Sequence, residues 1–208
     1  AYCRRLRRRI DRLLEKRPQA MFGQHFPIYV EKILGPGEHL PGDWNVDGTT
    51  GYEFMNQVSL LQHDPAGEAL LCSLWSETSG RTTDFMEEAR QARQLVLTGP
   101  LAGDFETVAQ ALLQVARGDV MTRDITLGAI RRALLELIIH FPVYRTYIAA
   151  SGRREADEPF FQQALEGAKT TLGEADWPLL EHLQRWLGGE SLRQLPRHLR
   201  KIRRYACT

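Results

Sequence analysis

A single carboxylate, Glu31, stands where a short β-branched and aromatic run over residues 28–32 gives way to a Gly- and Pro-rich loop. Val30 and the Tyr29 ring favour an extended backbone, and Pro27 and Gly35-Pro36-Gly37 bound the run, so it reads as one strand. A strand end that delivers an acid into a loop is how parallel barrels present catalytic groups at their C-terminal face. Tyr29 and Glu31 share one strand face, and Ile28 and Val30 share the other. A carboxyl on a partly apolar face keeps its proton to higher pH and suits general acid work. The plainer reading is a solvated edge carboxylate paired with Lys32 or a nearby arginine, and spacing alone favours it.

The loop that follows carries Trp44, Thr49, Thr50 and Tyr52. As structure, Asp47-Gly48 is a turn, Thr50 a helix cap, and the two rings core anchors. As function, rings that stack on pyranose faces and side chains that hydrogen-bond hydroxyls, gathered beside an acid, are what a sugar site uses. The residues support both readings equally. Further along, Tyr144, Arg145 and Tyr147 either staple the end of the preceding helix or line a sugar groove. The six histidines show no ligand spacing, and Cys3, Cys72 and Cys207 are odd in number and far apart. That pattern predicts no metal site and no disulfide framework, and it fits a reducing, cytoplasmic setting.

The elements around these residues are mostly helical. A basic helix is predicted over residues 2–17, with Leu6, Ile10, Leu13 and Leu14 on one stripe and Pro18 as its stop. Thr50-Gly51-Tyr52-Glu53 has capping-box spacing, which predicts a helix from there to about residue 61. Asp64-Pro65 opens another, to about residue 76. Amphipathic stretches follow near 83–97, 104–116 and 123–140. In the last, Ile130, Leu134, Leu137, Ile138 and Phe141 recur at helical spacing, and Arg132 and Glu136 pair across one turn. Asp157-Glu158-Pro159, Asp176-Trp177-Pro178 and Leu195-Pro196 open three more. The lone strand has no evident partner in the chain.

With 43% hydrophobic and 25% charged residues, the 208-residue chain has the composition of an ordinary globular protein. Its longest apolar run, near 134–141, is too short for a membrane span and is interrupted by Glu136 and His140. A net charge of +1 makes no demand for a polyanionic partner. Arginines do crowd both ends, which raises the alternative of a helical nucleic-acid-binding or protein-interaction module. No helix-turn-helix signature or interleaved aromatic platform supports nucleic-acid binding. The expectation is therefore no nucleic acid and no membrane partner.

Three pieces in order, Val30-Glu31-Lys32-Ile33-Leu34, Leu40-Pro41-Gly42-Asp43-Trp44 and Gly48-Thr49-Thr50-Gly51-Tyr52-Glu53-Phe54, resemble the maltooligosyl trehalose synthase family of the α-amylase superfamily. The segment Phe141-Pro142-Val143-Tyr144-Arg145-Thr146-Tyr147 is similar to a later part of that family. The resemblance implies isomerisation of the reducing-end α-1,4 linkage of a maltooligosaccharide to an α,α-1,1 linkage by intramolecular transglycosylation, with no cofactor. It places the general acid/base on Glu31 and makes Trp44, Thr49, Thr50, Tyr52, Tyr144, Arg145 and Tyr147 candidates for binding the substrate. The family's nucleophile sits on the preceding strand in an Arg-x-Asp-His sequence. Arg9-Ile10-Asp11-Arg12 echoes it only inside the basic helix, so Asp11 does not inherit that role. The implied fold is mainly α: one helix, one short strand and the acid/base loop drawn from a (β/α)8 barrel over residues 1–49, then a helical insertion domain over 50–208. Such a piece is expected to be inactive alone and to self-associate through apolar surface left uncovered.

Overall fold

The computed structural model describes residues 2–16, 25–148 and 152–189. The chain divides into two compact units, Ala1–Leu74 and Trp75–Thr208. The fold is mainly α-helical, as the sequence implies, and it also holds a small parallel sheet. Among the described residues no helix is long and apolar enough to cross a membrane. The predicted helix after residue 195 and the stop at Pro18 lie outside the described residues.

The first unit opens with α1 (Tyr2–Leu14). Leu6, Ile10 and Leu14 form its half-buried stripe, together with Arg7, while Leu13 is 49% exposed and does not belong to it. Two very short strands follow, β1 (Tyr29–Val30) and β2 (Gly48–Thr49). They pair in parallel, Tyr29 opposite Gly48 and Val30 opposite Thr49. This corrects the expectation of a strand without a partner. It also shortens the predicted strand, because the Lys32 N–H turns back to the Val30 carbonyl at 3.0 Å and ends the extended run. A 3-10 turn (Gly42–Trp44) lies between the strands.

After β2 come α2 (Tyr52–Leu60) and α3 (Glu68–Ser79). Asp64 caps the turn ahead of α3 by accepting the Ala66 N–H, with Pro65 in its first position, as the Asp-Pro pair predicts. Neither α2 nor α3 has a buried residue, although both are rich in large apolar side chains. Phe54 is 70% exposed and Leu61 86%.

The second unit holds α4 (Phe85–Thr98), α5 (Ala102–Arg117), α6 (Leu127–Ile139), α7 (Glu158–Thr171) and α8 (Trp177–Gln184). Asp84 accepts the Met86 and Glu87 N–H groups and so starts α4; the Thr126 hydroxyl accepts from Ala129 and starts α6. Pro159 and Pro178 fall in the first turns of α7 and α8, where a missing N–H costs nothing. The core joins Leu112 and Leu113 of α5, Ile130, Leu134 and Leu137 of α6, Leu165 of α7, and Leu180 and Leu183 of α8. Each such side chain stabilises the fold by roughly 2 kcal/mol. Ile138 and Phe141 pack against the edge of that core. The predicted Arg132–Glu136 pair does not form. Arg132 reaches Asp176 at 3.1 Å instead, and Glu136 accepts the Thr171 hydroxyl at 2.6 Å. Tertiary partners win here because a pair across one helical turn is worth only a few tenths of a kcal/mol, about 0.2–0.5.

Candidate functional site

Glu31 follows the last residue of β1 and is the central residue of the tight turn closed by Lys32 N–H and Val30 carbonyl. Burial alternates around it: Ile28 and Lys32 are buried, whereas Tyr29, Glu31 and Ile33 are exposed. The strand therefore buries one face and presents Glu31 on the other, beside Tyr29. The exposed position means that the apolar surroundings expected for Glu31 are not provided by its own strand. Val30 pairs with Thr49, so Glu31 and Thr50 each follow the last paired residue of their strand. The acid and the loop threonines thus leave the sheet at the same, C-terminal edge, where parallel sheets place their sites.

Two clasps fix this strand. On its N-terminal side, the Asp47 carboxylate accepts the Ile28 N–H at 2.6 Å, the Arg7 guanidinium at 2.5 Å and the His25 imidazole at 2.5 Å. Arg7 also donates to the carbonyls of Phe26 at 2.7 Å and Asn45 at 3.1 Å, so one α1 side chain ties both ends of the loop. The Ile28 amide, ahead of His25 and Arg7, holds the Asp47 carboxyl down to about 2. On the C-terminal side, Lys32 Nζ donates to Glu38 at 2.5 Å, and the other Glu38 oxygen accepts the Gly35 N–H at 3.1 Å. Both side chains of that pair are more than nine-tenths buried. Lys32 is thus engaged with Glu38, and not with Glu31 as the plainer sequence reading had it.

Beyond β2 the predicted capping box shifts by one residue. Thr49, not Thr50, donates its hydroxyl to Glu53 at 2.6 Å and accepts the Gly51 N–H at 3.1 Å. Gly51 caps α2 in the left-handed region at φ 90°, a conformation that favours glycine and that the sequence pattern did not reveal. The Thr49 hydroxyl is the main reason the Glu53 carboxyl lies below its usual range, and the Glu53 N–H adds to it. One Glu53 oxygen, Oε1, is buried without a hydrogen-bond partner among the described residues. Trp44 closes the 3-10 turn by donating its N–H to the Pro41 carbonyl at 3.0 Å, and Tyr52 opens α2. Both rings are half-buried, and Thr50 is exposed. Glu31, Trp44, Thr49, Thr50 and Tyr52 therefore share one strand–loop–strand–helix assembly in the first unit. The positioning residues Asp47, Arg7 and Glu38 were missed, because their contacts span 19, 40 and 6 residues and leave no periodic trace.

Tyr144, Arg145 and Tyr147 belong to the second unit. Tyr144 is 92% exposed, and the Arg145 guanidinium lies 4.9 Å from the Tyr147 ring centroid. The end of α6 is held by Arg93, whose guanidinium donates to the carbonyls of Ile139 at 2.9 Å and Phe141 at 2.8 Å. A helix staple was one expectation for the tyrosine cluster, and Arg93 fills that place. Among the described residues no group of three or more His, Cys, Asp or Glu side chains is arranged to hold a metal ion.

Among solved structures, the chain is similar to maltooligosyltrehalose synthase from Arthrobacter ramosus: 27% identical, with 96% of this chain and 22% of that chain covered, at a TM-score of 0.66. A mutant of the same enzyme matches with 25% identity, the same coverage and a TM-score of 0.67. A glycosyltrehalose synthase matches 85% of this chain and 19% of its own length, with 28% identity and a TM-score of 0.52. The chain thus spans about a fifth of the length of the enzymes it resembles. No family model matches the chain, and no curated protein matches it.

Proposed function

We propose that this chain is a segment of a trehalose-forming glycan isomerase, a maltooligosyl trehalose synthase, and that it supplies the general acid/base of that enzyme. The observation that carries the reading is Glu31, exposed at the C-terminal edge of a parallel strand pair and bracketed by the Asp47–Ile28 and Lys32–Glu38 clasps. Two further observations support it. A sheet of two-residue strands is too small to stand alone. The exposed apolar side chains of α2 and α3, among them Phe54, Leu60, Leu70 and Leu71, suit burial against the remainder of a longer polypeptide. Similarity to trehalose-forming enzymes over 96% of this chain but 22% of theirs agrees with both.

The chemistry then follows from a carboxyl placed at such an edge. Glu31 protonates the leaving glycosidic oxygen as a carboxylate nucleophile forms the covalent glycosyl intermediate. The released glucose stays in the site and turns. Glu31, now a carboxylate, removes the proton from its anomeric hydroxyl as that oxygen attacks the anomeric carbon of the covalent intermediate, breaking its bond to the carboxylate nucleophile and closing the α,α-1,1 bond. Thr49, Thr50, Trp44 and Tyr52 would hold the sugar, and exclusion of water favours transfer over hydrolysis. The nucleophile is not assigned to this chain: Asp11 lies on the exposed side of α1, not at a strand end.

Two assays test the reading. The 208-residue chain incubated with maltopentaose is expected to form no maltooligosyl trehalose; turnover by it would remove the need for a nucleophile from elsewhere. In a longer polypeptide containing this segment, Glu31→Gln is expected to lower turnover by about 10²–10⁴-fold at unchanged melting temperature. Retention of activity in that variant would reassign the acid/base.

A further inference from the structure

Among the described residues nothing covers α2 and α3 closely. Every residue from Phe54 to Ala66 is exposed, and so is all of α3 except Cys72 and Ser79. Neither helix packs extensively against another element. Helices of 9 and 12 residues are marginal alone in water, because the cost of forming the first turn is spread over few hydrogen bonds. Their apolar residues are nonetheless ordered. Phe54, Val58 and Leu61 recur at i, i+4 and i+7 along α2 and its cap, and Leu70, Leu71 and Leu74 gather on one side of α3. Ala69, Cys72 and Ser76 lie on the opposite side of α3. Two such stripes need a permanent cover for the helices to persist.

Charge narrows what the cover is. The chain holds 27 lysines and arginines, yet none falls between residues 50 and 80, where Glu53, Asp64, Glu68 and Glu77 stand. Glu53 is taken by Thr49 and Asp64 by the Ala66 N–H. Glu68 and Glu77 are exposed and flank the α3 stripe, one turn before Leu71 and one turn past Leu74. Two copies meeting symmetrically through this face would bring like patches together, acid towards acid, with no lysine or arginine of either helix between them. A surface with cations at its edge fits instead. The similar enzymes supply a source for it, since this chain matches only 22% of their length. A segment of the same polypeptide is also present at high effective concentration whatever the protein concentration, as a permanent cover must be. Covering α2 has a consequence for the site, because its Glu53 holds the Thr49 hydroxyl at 2.6 Å.

We propose that the Phe54–Val58–Leu61 and Leu70–Leu71–Leu74 stripes are the seat of a segment of the same polypeptide outside these 208 residues, an apolar surface edged by lysine or arginine. This rests on the reading of the chain as part of a longer enzyme, but not on the role given to Glu31. The test is amide hydrogen exchange, read by mass spectrometry, on the 208-residue chain at two concentrations and on a longer, active polypeptide containing it. Expected is nearly unprotected exchange over residues 54–61 and 68–74 in the chain alone at both concentrations. In the longer polypeptide the same amides should exchange at least about 100-fold more slowly. There Leu71→Ser is expected to lower the protection of residues 68–74 about tenfold. Glu68→Lys should lower it about threefold by opposing the cationic edge. Fast exchange of both stripes in the longer polypeptide overturns the proposal. Protection that grows with concentration in the 208-residue chain assigns the stripes to a second copy and overturns it too. Greater protection in Glu68→Lys refutes the cationic edge. Turnover of Glu31→Gln is read separately: full activity with both stripes protected removes only the acid/base role.

Discussion

The Asp47 carboxylate accepts the Ile28 N–H at 2.6 Å and so joins the end of the loop to the start of the strand that carries Glu31, nineteen residues earlier. Arg7 and His25 converge on the same carboxylate. The strand is thereby aimed by a side chain that touches no substrate in the proposed reaction.

That clasp sets an acid limit on the first unit. The Asp47 carboxyl lies at about 2 in the folded chain, below its ordinary 3.8. A depressed folded value means the stabilisation is complete above about pH 4 and is lost as the pH falls towards 2. Trp44 fluorescence, which reports the same loop, is expected to show wild-type melting falling steeply over that window. Asp47→Asn should start lower and show a shallower slope. Parallel curves for the two proteins would mean that the clasp carries no linkage.

Thr49 and Thr50 separate in the same way. Thr49 donates to Glu53, whereas Thr50 makes no bond to it, so Thr49→Val is expected to raise the Glu53 carboxyl towards its usual range. Thr50→Val should leave it in place. Carbon-detected NMR titration of the Glu53 carboxyl distinguishes the two. An equal response to both substitutions would restore the capping box centred on Thr50.

Helix starts were legible in the sequence because their signals are local. Asp64, Asp84 and Thr126 each accept an N–H within three residues, and Pro159 and Pro178 mark first turns. The period of Ile130, Leu134 and Leu137 is equally local, and all three are buried. What stayed hidden acts over distance. A two-residue strand containing glycine, β2, has no alternation to detect. Arg132 meets Asp176 across 44 residues, and Arg93 meets Ile139 across 46. Glu31 itself stood out by its place at a strand end, but the residues that aim it did not.

Two glycines in helices predict opposite outcomes for the same substitution. Nothing lies within 4 Å of a Cβ at Gly103, so Gly103→Ala should be neutral or stabilising by up to about 1 kcal/mol. At Gly167 a Cβ would meet His140 Nδ1, Cγ and Cβ at 2.5, 2.7 and 2.9 Å. These are the root and body of a packed ring, not a flexible tip, so overpacking of about 1–3 kcal/mol outweighs the gain in helix propensity. Urea unfolding should place Gly167→Ala below wild type by about 1 kcal/mol or more. Stabilisation of both variants would show that the ring yields freely.

The Lys32–Glu38 pair predicts a non-additive cycle. With side chains 6% and 8% exposed, the two charges are held together out of water, and removing one leaves the other buried. Lys32→Met is therefore expected to cost about 3–5 kcal/mol, as read from protection of the first unit's amides against hydrogen exchange. Adding Glu38→Leu removes the stranded charge and should recover most of that loss. The recovery stays incomplete because Glu38 also accepts the Gly35 N–H, which the double variant leaves unpaired at a cost of about 1–3 kcal/mol. In a longer, active polypeptide the double variant should still turn over poorly, since the backbone turn that holds out Glu31 has lost its anchor at the following residue. A cost below about 1 kcal/mol for Lys32→Met alone would mark the pair as solvated, the usual worth of a surface ion pair, and would leave Asp47 as the anchor of the strand.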